Sequence, residues 1–128
     1  MRPMIRVVTA LAFAFVSTLP SARAADADTE FDAFLARWRA AVAANDVDAV
    51  VAMTRLPFLF EGRDHAREGM AREVVPALLT VEVRHCLRTA APLREDDRYV
   101  LSCAPYQFYL GRVDGEWRWV EFAADGEG

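Results

Sequence analysis

The chain has 128 residues, a net charge of −4, and only arginine among its 15 basic residues. This length supports a single domain. An acidic chain without a basic cluster is a poor binder of nucleic acids, so we expect no nucleic-acid partner and, for the same reason, no binding to anionic membranes.

The first 24 residues have the pattern of a cleavable signal peptide. Arg2 and Arg6 precede 13 uncharged residues at 7–19, and positions 22–24 supply the small residues that a signal peptidase recognises. A membrane span needs about 18 or more apolar residues, so this run is too short to be a stable anchor. We expect cleavage after Ala24 and a periplasmic or secreted product, which keeps 12 basic and 19 acidic residues for a net charge of −7.

The chain has two cysteines, Cys86 and Cys103. In an exported protein an even number of cysteines predicts a disulfide, which is favoured here over a nucleophile formed by one Cys and a distant His. Two histidines, His65 and His85, are too few for a zinc-type site, so we expect no metal and no cofactor.

The first element after a small polar tail at 25–29 is a helix. Apolar residues recur on one helical face at Phe31, Phe34, Leu35, Trp38, Ala41 and Val42. Thr29 is the expected N-cap. Asp46 is expected to cap a short second helix, which Pro57 ends.

The middle of the chain is predicted to hold a short buried strand and a third helix. The strand covers 57–60 and ends at Gly62. The helix begins near Asp64, and Pro76 kinks or divides it.

Residues 77–90 fit either a strand or a helix, because their periodicity does not distinguish the two. Helix is favoured, since Thr80 can cap it and Arg84 and Arg88 then share an exposed face. Together with Arg94, these arginines could hold an anion or form a solvated surface.

The chain from Arg98 onward indicates antiparallel strands. Asp114-Gly115 is a strong two-residue hairpin signal, which pairs Leu110 with Trp119 and Tyr109 with Val120. One face then carries Tyr106, Phe108, Leu110, Trp117 and Trp119. The other face carries Tyr109, Val113, Val120 and Phe122. Since both faces are apolar, we expect helices to cover one, and the other to line a pocket or meet a partner. The domain thus covers 30–123, and 124–128 form a flexible acidic tail.

Three segments resemble nuclear-transport-factor-2-like proteins, which have a cystatin-like half-cone. They are FLARWRAAV at 34–42, NDVDAVV at 45–51 followed by Pro57-Phe58, and YLGRVDGEWRW at 109–119. The resemblance implies an α+β fold in which N-terminal helices pack on a curved antiparallel sheet that forms an open cone. Members of this family include isomerases, dehydratases and partner-binding domains.

Ketosteroid isomerases are enzymes of this kind. Their oxyanion-donating Tyr has its similar position here at Trp38, and their general-base Asp lies near the place of Glu61 and Gly62. This chain therefore departs from the isomerase pattern at both positions.

The candidate catalytic residues are Glu61, Asp64 and His65, a compact titratable group near the mouth of the expected cone. The alternative for these three is a solvated loop in which Asp64 caps the helix. Aromatic residues that could line a pocket are Trp38, Phe60, Trp117 and Trp119. For the tryptophans the alternative is core packing.

Binding is favoured over catalysis. The first hypothesis is a non-catalytic module that holds a small molecule or a protein in a cone pocket or on an open sheet face. The alternatives are a small lyase or isomerase that uses the candidate acid/base group, and a homodimeric structural or inhibitory protein.

Overall fold

The computed structural model describes residues 3–4, 10–14 and 20–126, and for residues 20–27 it describes the backbone alone. The predicted signal peptide lies in part outside these ranges, as do the last two residues of the predicted acidic tail. No helix within the described residues has both the length and the apolar character that a membrane crossing needs.

The described chain is α+β, as predicted, with helices that precede an antiparallel sheet. The helices are α1 Pro20–Ala43, α2 Val47–Ala52, α3 Arg67–Gly69, a π-helix Met70–Val74, α4 Val75–Leu78 and α5 Val81–Leu87. The strands are β1 Phe58–Phe60, β2 Arg63–His65, β3 Leu93–Glu95, β4 Arg98–Cys103, β5 Tyr106–Val113 and β6 Glu116–Ala124. Strands β3 to β6 form one sheet in that order, β1 and β2 form a second, and neither sheet closes into a barrel.

Helix α1 buries the predicted apolar stripe but starts earlier than predicted. All six stripe residues are buried. The helix begins at Pro20 instead of at a Thr29 cap, and it includes residues 25–29. Proline is tolerated in the first helical turn, and the four alanines between residues 22 and 27 favour helix, which explains the longer element.

Two predicted caps are confirmed. The Asp46 carboxylate accepts a hydrogen bond from the Ala49 amide at 3.2 Å, which starts α2. The Thr80 hydroxyl accepts one from the Val83 amide at 3.3 Å, so the ambiguous segment is the helix α5.

The predicted third helix is preceded by a strand that the sequence did not indicate. Glu61 and Gly62 both have positive φ, 51° and 75°, and form a tight turn that reverses the chain from β1 into β2. Asp64 therefore lies in β2 and does not begin a helix. The helix is irregular just before Pro76, as expected, because residues Met70–Val74 form a π-helix. Its last hydrogen bond joins the Val75 amide to the Met70 carbonyl five residues back.

The predicted hairpin of β5 and β6 is present, with one change of register. Asp114 and Gly115 have φ of 52° and 80°, and Leu110 pairs with Trp119 as predicted. Tyr109, however, pairs with Glu121 and not with Val120, because a β-bulge adds one residue to β6.

The bulge moves Phe122 from the predicted outer face to the inner face of the sheet. Phe122 is the cross-strand partner of Phe108, which is fully buried. The outer face is consequently less apolar than predicted. There, the Arg98 guanidinium lies 4.1 Å from the centroid of the Tyr109 ring and forms an ion pair with Glu121 at 2.7 Å.

The core lies between α1 and the inner face of the sheet. Trp38, Phe108 and Trp119 are all 0% exposed, and their ring centroids lie 5.6 to 6.2 Å apart. A disulfide joins Cys86 of α5 to Cys103 of β4, as predicted. These contacts fill the space between α1 and the inner face of the sheet.

Candidate functional site

A cleft beside β6 combines apolar and charged side chains around a volume of about 410 Å³. We call it the β6 cleft. It is lined by Arg55, Leu59, Glu61, Gly62, Val120, Glu121 and Phe122. This volume falls within the range of small-molecule sites.

One wall of the cleft is built on the β-bulge. Next to the bulge, the backbone of Trp119 in β6 forms two hydrogen bonds with residues 53–55. The Trp119 amide donates to the Met53 carbonyl at 2.8 Å, and the Arg55 amide donates to the Trp119 carbonyl at 2.9 Å. The Arg55 guanidinium then donates to the Val120 carbonyl at 2.9 Å. A cation is thereby fixed at the edge of β6.

The opposite wall is the turn between β1 and β2. Glu61 takes the left-handed conformation there, which is unfavourable for a residue with a side chain. Its carboxylate forms no hydrogen bond or ion pair with residues 28–126. An unpartnered acid on a strained turn is a feature that recurs at ligand sites.

The apolar part of the cleft consists of Leu59 and Phe122. Leu59 of β1 is 63% exposed, and it lines the cleft together with Phe122. Phe122 is half-buried, and its ring packs against Phe58 and Phe60 at centroid distances of 6.1 and 5.6 Å. Exposed apolar surface beside two opposite charges suits an amphipathic ligand.

The three candidate catalytic residues are not brought together. Glu61 lines the β6 cleft, Asp64 is exposed on β2, and His65 is 6% exposed. No hydrogen bond or ion pair joins any two of them. Strand alternation separates Asp64 from His65, since neighbouring residues point to opposite faces.

His65 instead contacts Glu73, a residue of the π-helix that the sequence did not single out. His65 Nδ1 lies 3.4 Å from Glu73 Oε2, while Nε2 is buried without a hydrogen-bond partner. Gly69 permits this packing, because a Cβ at that position would lie 3.0 Å from His65 Nδ1. Such a His–carboxylate pair can act as a general base only if Nε2 reaches a substrate, and His65 does not line the β6 cleft.

Of the four predicted pocket-lining aromatics, the three tryptophans are buried in the core and Phe60 is half-buried. Trp38 and Trp119 are fully buried against each other and against Phe108, so they belong to the core and line no open cleft. Phe60 is half-buried between His65 and Phe122. Trp117 is also buried, at 8% exposure, and its edge borders an open groove.

That groove lies between α1 and the β5–β6 hairpin and has a volume of about 540 Å³. It is larger than the β6 cleft, but its two aromatic lining residues, Phe34 and Trp117, are buried, and it has no exposed large apolar side chain comparable to Leu59. Glu30 pairs with Arg112 at 3.3 Å, and Glu116 pairs with Arg118. We therefore place the candidate site in the smaller β6 cleft.

Arg98 and Glu121 form an ion pair on the outer sheet face. The hydrogen bond to Glu121 raises the pKa of the Arg98 guanidinium, and partial burial acts in the opposite direction. Glu121 is thus paired with Arg98, which leaves Glu61 as the unpaired acid that lines the β6 cleft. Among residues 28–126, no three His, Cys, Asp or Glu side chains converge as a metal-binding group.

The sequence missed Arg55, Leu59 and the inward position of Phe122. No local signal marks Arg55, because its position depends on pairing with a strand 65 residues away. An Asp-Gly hairpin fixes register near its turn, but it does not reveal a bulge five residues along β6.

Comparison with known proteins found no family model, no curated protein and no solved structure that matches this chain.

Proposed function

We propose that this protein is an exported, non-catalytic binding module whose β6 cleft holds a small amphipathic molecule. The observation that carries the proposal is the placement of exposed Leu59 and half-buried Phe122 between Arg55 and an unpaired Glu61. The apolar part of the ligand packs on Leu59 and Phe122. Its polar part meets the two charges.

Export is supported by the pattern of residues 1–24 and by the disulfide between Cys86 and Cys103. Disulfides persist in oxidising compartments such as the periplasm. Cleavage after Ala24 removes the first five residues of α1 and leaves its apolar stripe intact. An intact mass of periplasmic material that still contained residues 1–24 would contradict this part of the proposal.

We also propose that the fold is of the nuclear-transport-factor-2-like kind. The order of N-terminal helices followed by an antiparallel sheet, and the final hairpin with its Asp114-Gly115 turn, support it. Trp38, Phe108 and Trp119 fill the space that an open cone would leave between α1 and the sheet. The filled core favours a ligand at the margin of the sheet over one in a central pocket.

Binding is preferred to the two alternatives on specific grounds. A lyase or isomerase would need Glu61 or His65 to face a shared pocket, and only Glu61 borders the β6 cleft. A homodimer through the sheet would need an apolar outer face, and that face carries the contacts among Arg98, Tyr109 and Glu121.

The test uses the neutral apolar dye Nile red, whose fluorescence rises in an apolar site. We expect the wild-type protein to bind it. Leu59→Ser should weaken binding by about fivefold or more, because the variant loses apolar contact worth about 1 kcal/mol or more. Leu93→Ser is the matched control, since Leu93 is also an exposed leucine in a three-residue strand, at 67% against 63%, and lines none of the clefts described here.

Equal loss of binding in both variants, or no binding to the wild-type protein, would overturn the proposal. Native mass spectrometry of protein purified from its own compartment then addresses the ligand itself. A retained small molecule that Leu59→Ser releases and Leu93→Ser keeps would identify the natural occupant of the β6 cleft.

A further inference from the structure

Most arginine side chains of this acidic protein have a partner. Of the 12 arginines between residues 28 and 126, six form ion pairs with carboxylates, and Arg39 and Arg55 donate to backbone carbonyls. The other four make no hydrogen bond or ion pair with any residue in that range, and two of them, Arg84 and Arg88, lie next to each other on α5 and its C-cap.

Arg84 and Arg88 border the same small pocket, which has a volume of about 210 Å³. His85 lines it too, and Val81 and Ala43 complete its wall. Arg84 is half-buried, and its Nε is enclosed without a hydrogen-bond partner. We call this the α5 pocket, and three basic side chains with no acidic partner among residues 28–126 surround it.

The arrangement opposes the stability of the helix. Like charges spaced four residues apart on a helix repel each other. The one acidic residue of α5, Glu82, is two positions from Arg84 and so does not face it. The negative end of the helix dipole offsets part of the repulsion but leaves the guanidinium donors without acceptors.

The disulfide makes this surface a fixed platform. Cys86, between His85 and Leu87 of α5, is bonded to Cys103 of the central strand β4. The backbone that carries Arg84 and Arg88 is therefore held in place before any ligand arrives, which lowers the entropic cost of binding.

We propose that the α5 pocket is a binding site for a phosphate group. Two guanidinium forks on one helix face match the geometry of phosphate oxygens. His85 adds a further donor, and Val81, which is 68% exposed at the rim, contacts whatever apolar group the phosphate carries. The α5 pocket shares no residue with the β6 cleft, so the proposals for the two sites are tested independently.

The probe is phenyl phosphate, titrated into the disulfide-intact protein by isothermal calorimetry at low salt. Arg88→Gln alters an exposed side chain and should leave the fold intact while weakening binding by about tenfold or more. Arg84→Gln should do the same. Arg67→Gln is the control, because Arg67 is also exposed and unpartnered but lies on α3; it should change the affinity by less than about twofold.

Vesicles distinguish a free phosphate from a lipid headgroup. Binding to phosphatidic-acid vesicles that Arg88→Gln abolishes assigns the site to a headgroup, whereas binding to phenyl phosphate without vesicle binding assigns it to a soluble phosphate compound. The proposal is overturned if the wild-type protein binds neither probe, or if Arg67→Gln weakens binding as much as Arg88→Gln does.

Discussion

Trp38 and Trp119 occupy equally buried positions but differ in one hydrogen bond. Both side chains are 0% exposed. The Trp119 indole N–H donates to the Glu121 carbonyl at 3.0 Å, whereas the Trp38 indole N–H is buried without a partner. An unsatisfied buried donor lowers stability, so the two tryptophans should respond differently to the same substitution.

We predict that Trp119→Phe lowers the free energy of unfolding by about 1 kcal/mol more than Trp38→Phe does. Both changes remove similar volume from the core. Only the first breaks a hydrogen bond and leaves a carbonyl without its donor. Urea unfolding followed by circular dichroism measures both, and an equal loss in the two variants would show that Trp38 has a partner after all.

The elements that the sequence predicted correctly are those with strong local signals. The stripe of α1, the caps of α2 and α5, and the Asp114-Gly115 turn each depend on residues within one or two turns of chain. Strands β2 and β3 were missed because each has only three residues and most of them are charged, whereas the equally short β1 consists of three apolar residues. Alternation over so few residues gives no usable pattern.

The turn between β1 and β2 stores strain that substitution can release. Glu61, at φ 51° in the β1–β2 turn, and Asp114, at φ 52° in the β5–β6 turn, both have the left-handed conformation. Asp tolerates the left-handed conformation because its short polar side chain can form a hydrogen bond with the nearby backbone. The longer Glu side chain lacks this compensation.

We therefore expect Glu61→Gly to raise the free energy of unfolding by about 0.5–1 kcal/mol, and Asp114→Gly to raise it less. A Glu at this strained position fits a ligand-binding role, in which function is favoured at the expense of stability. Thermal and urea unfolding of the two variants, side by side, provides the measurement. A larger gain at Asp114 would contradict the strain argument.

The candidate site was harder to predict than the fold because it forms from distant parts of the chain. Glu61 was singled out in the sequence and does line the β6 cleft. Its expected companions were its neighbours Asp64 and His65, but its actual ones are Arg55 and Phe122, which β6 brings together through long-range pairing. The bulge in β6 determines the positions of both Arg55 and Phe122 in the cleft, and the position of a bulge depends on the pairing of the whole sheet.

The disulfide is the one covalent cross-link between side chains of the helices and the sheet within the described residues, and the stability of the whole molecule should depend on it. The Cys86–Cys103 link closes a loop with a sequence separation of 17, for which the chain-entropy model gives roughly 3 kcal/mol. A small domain has only about 5–15 kcal/mol in total. Loss of the link would thus remove a large fraction of that stability.

We predict that the double variant Cys86→Ala/Cys103→Ala loses about 3 kcal/mol of unfolding free energy in urea. Reduction of the wild-type protein with dithiothreitol should cause a loss of similar size, because both treatments free the same loop in the unfolded chain. Dithiothreitol should not affect the double variant, which controls for other actions of the reductant. A loss well below 1 kcal/mol on reduction would mean that packing of α5 on β4 holds the two together without the bond, and the α5 pocket would then owe its rigidity to that packing.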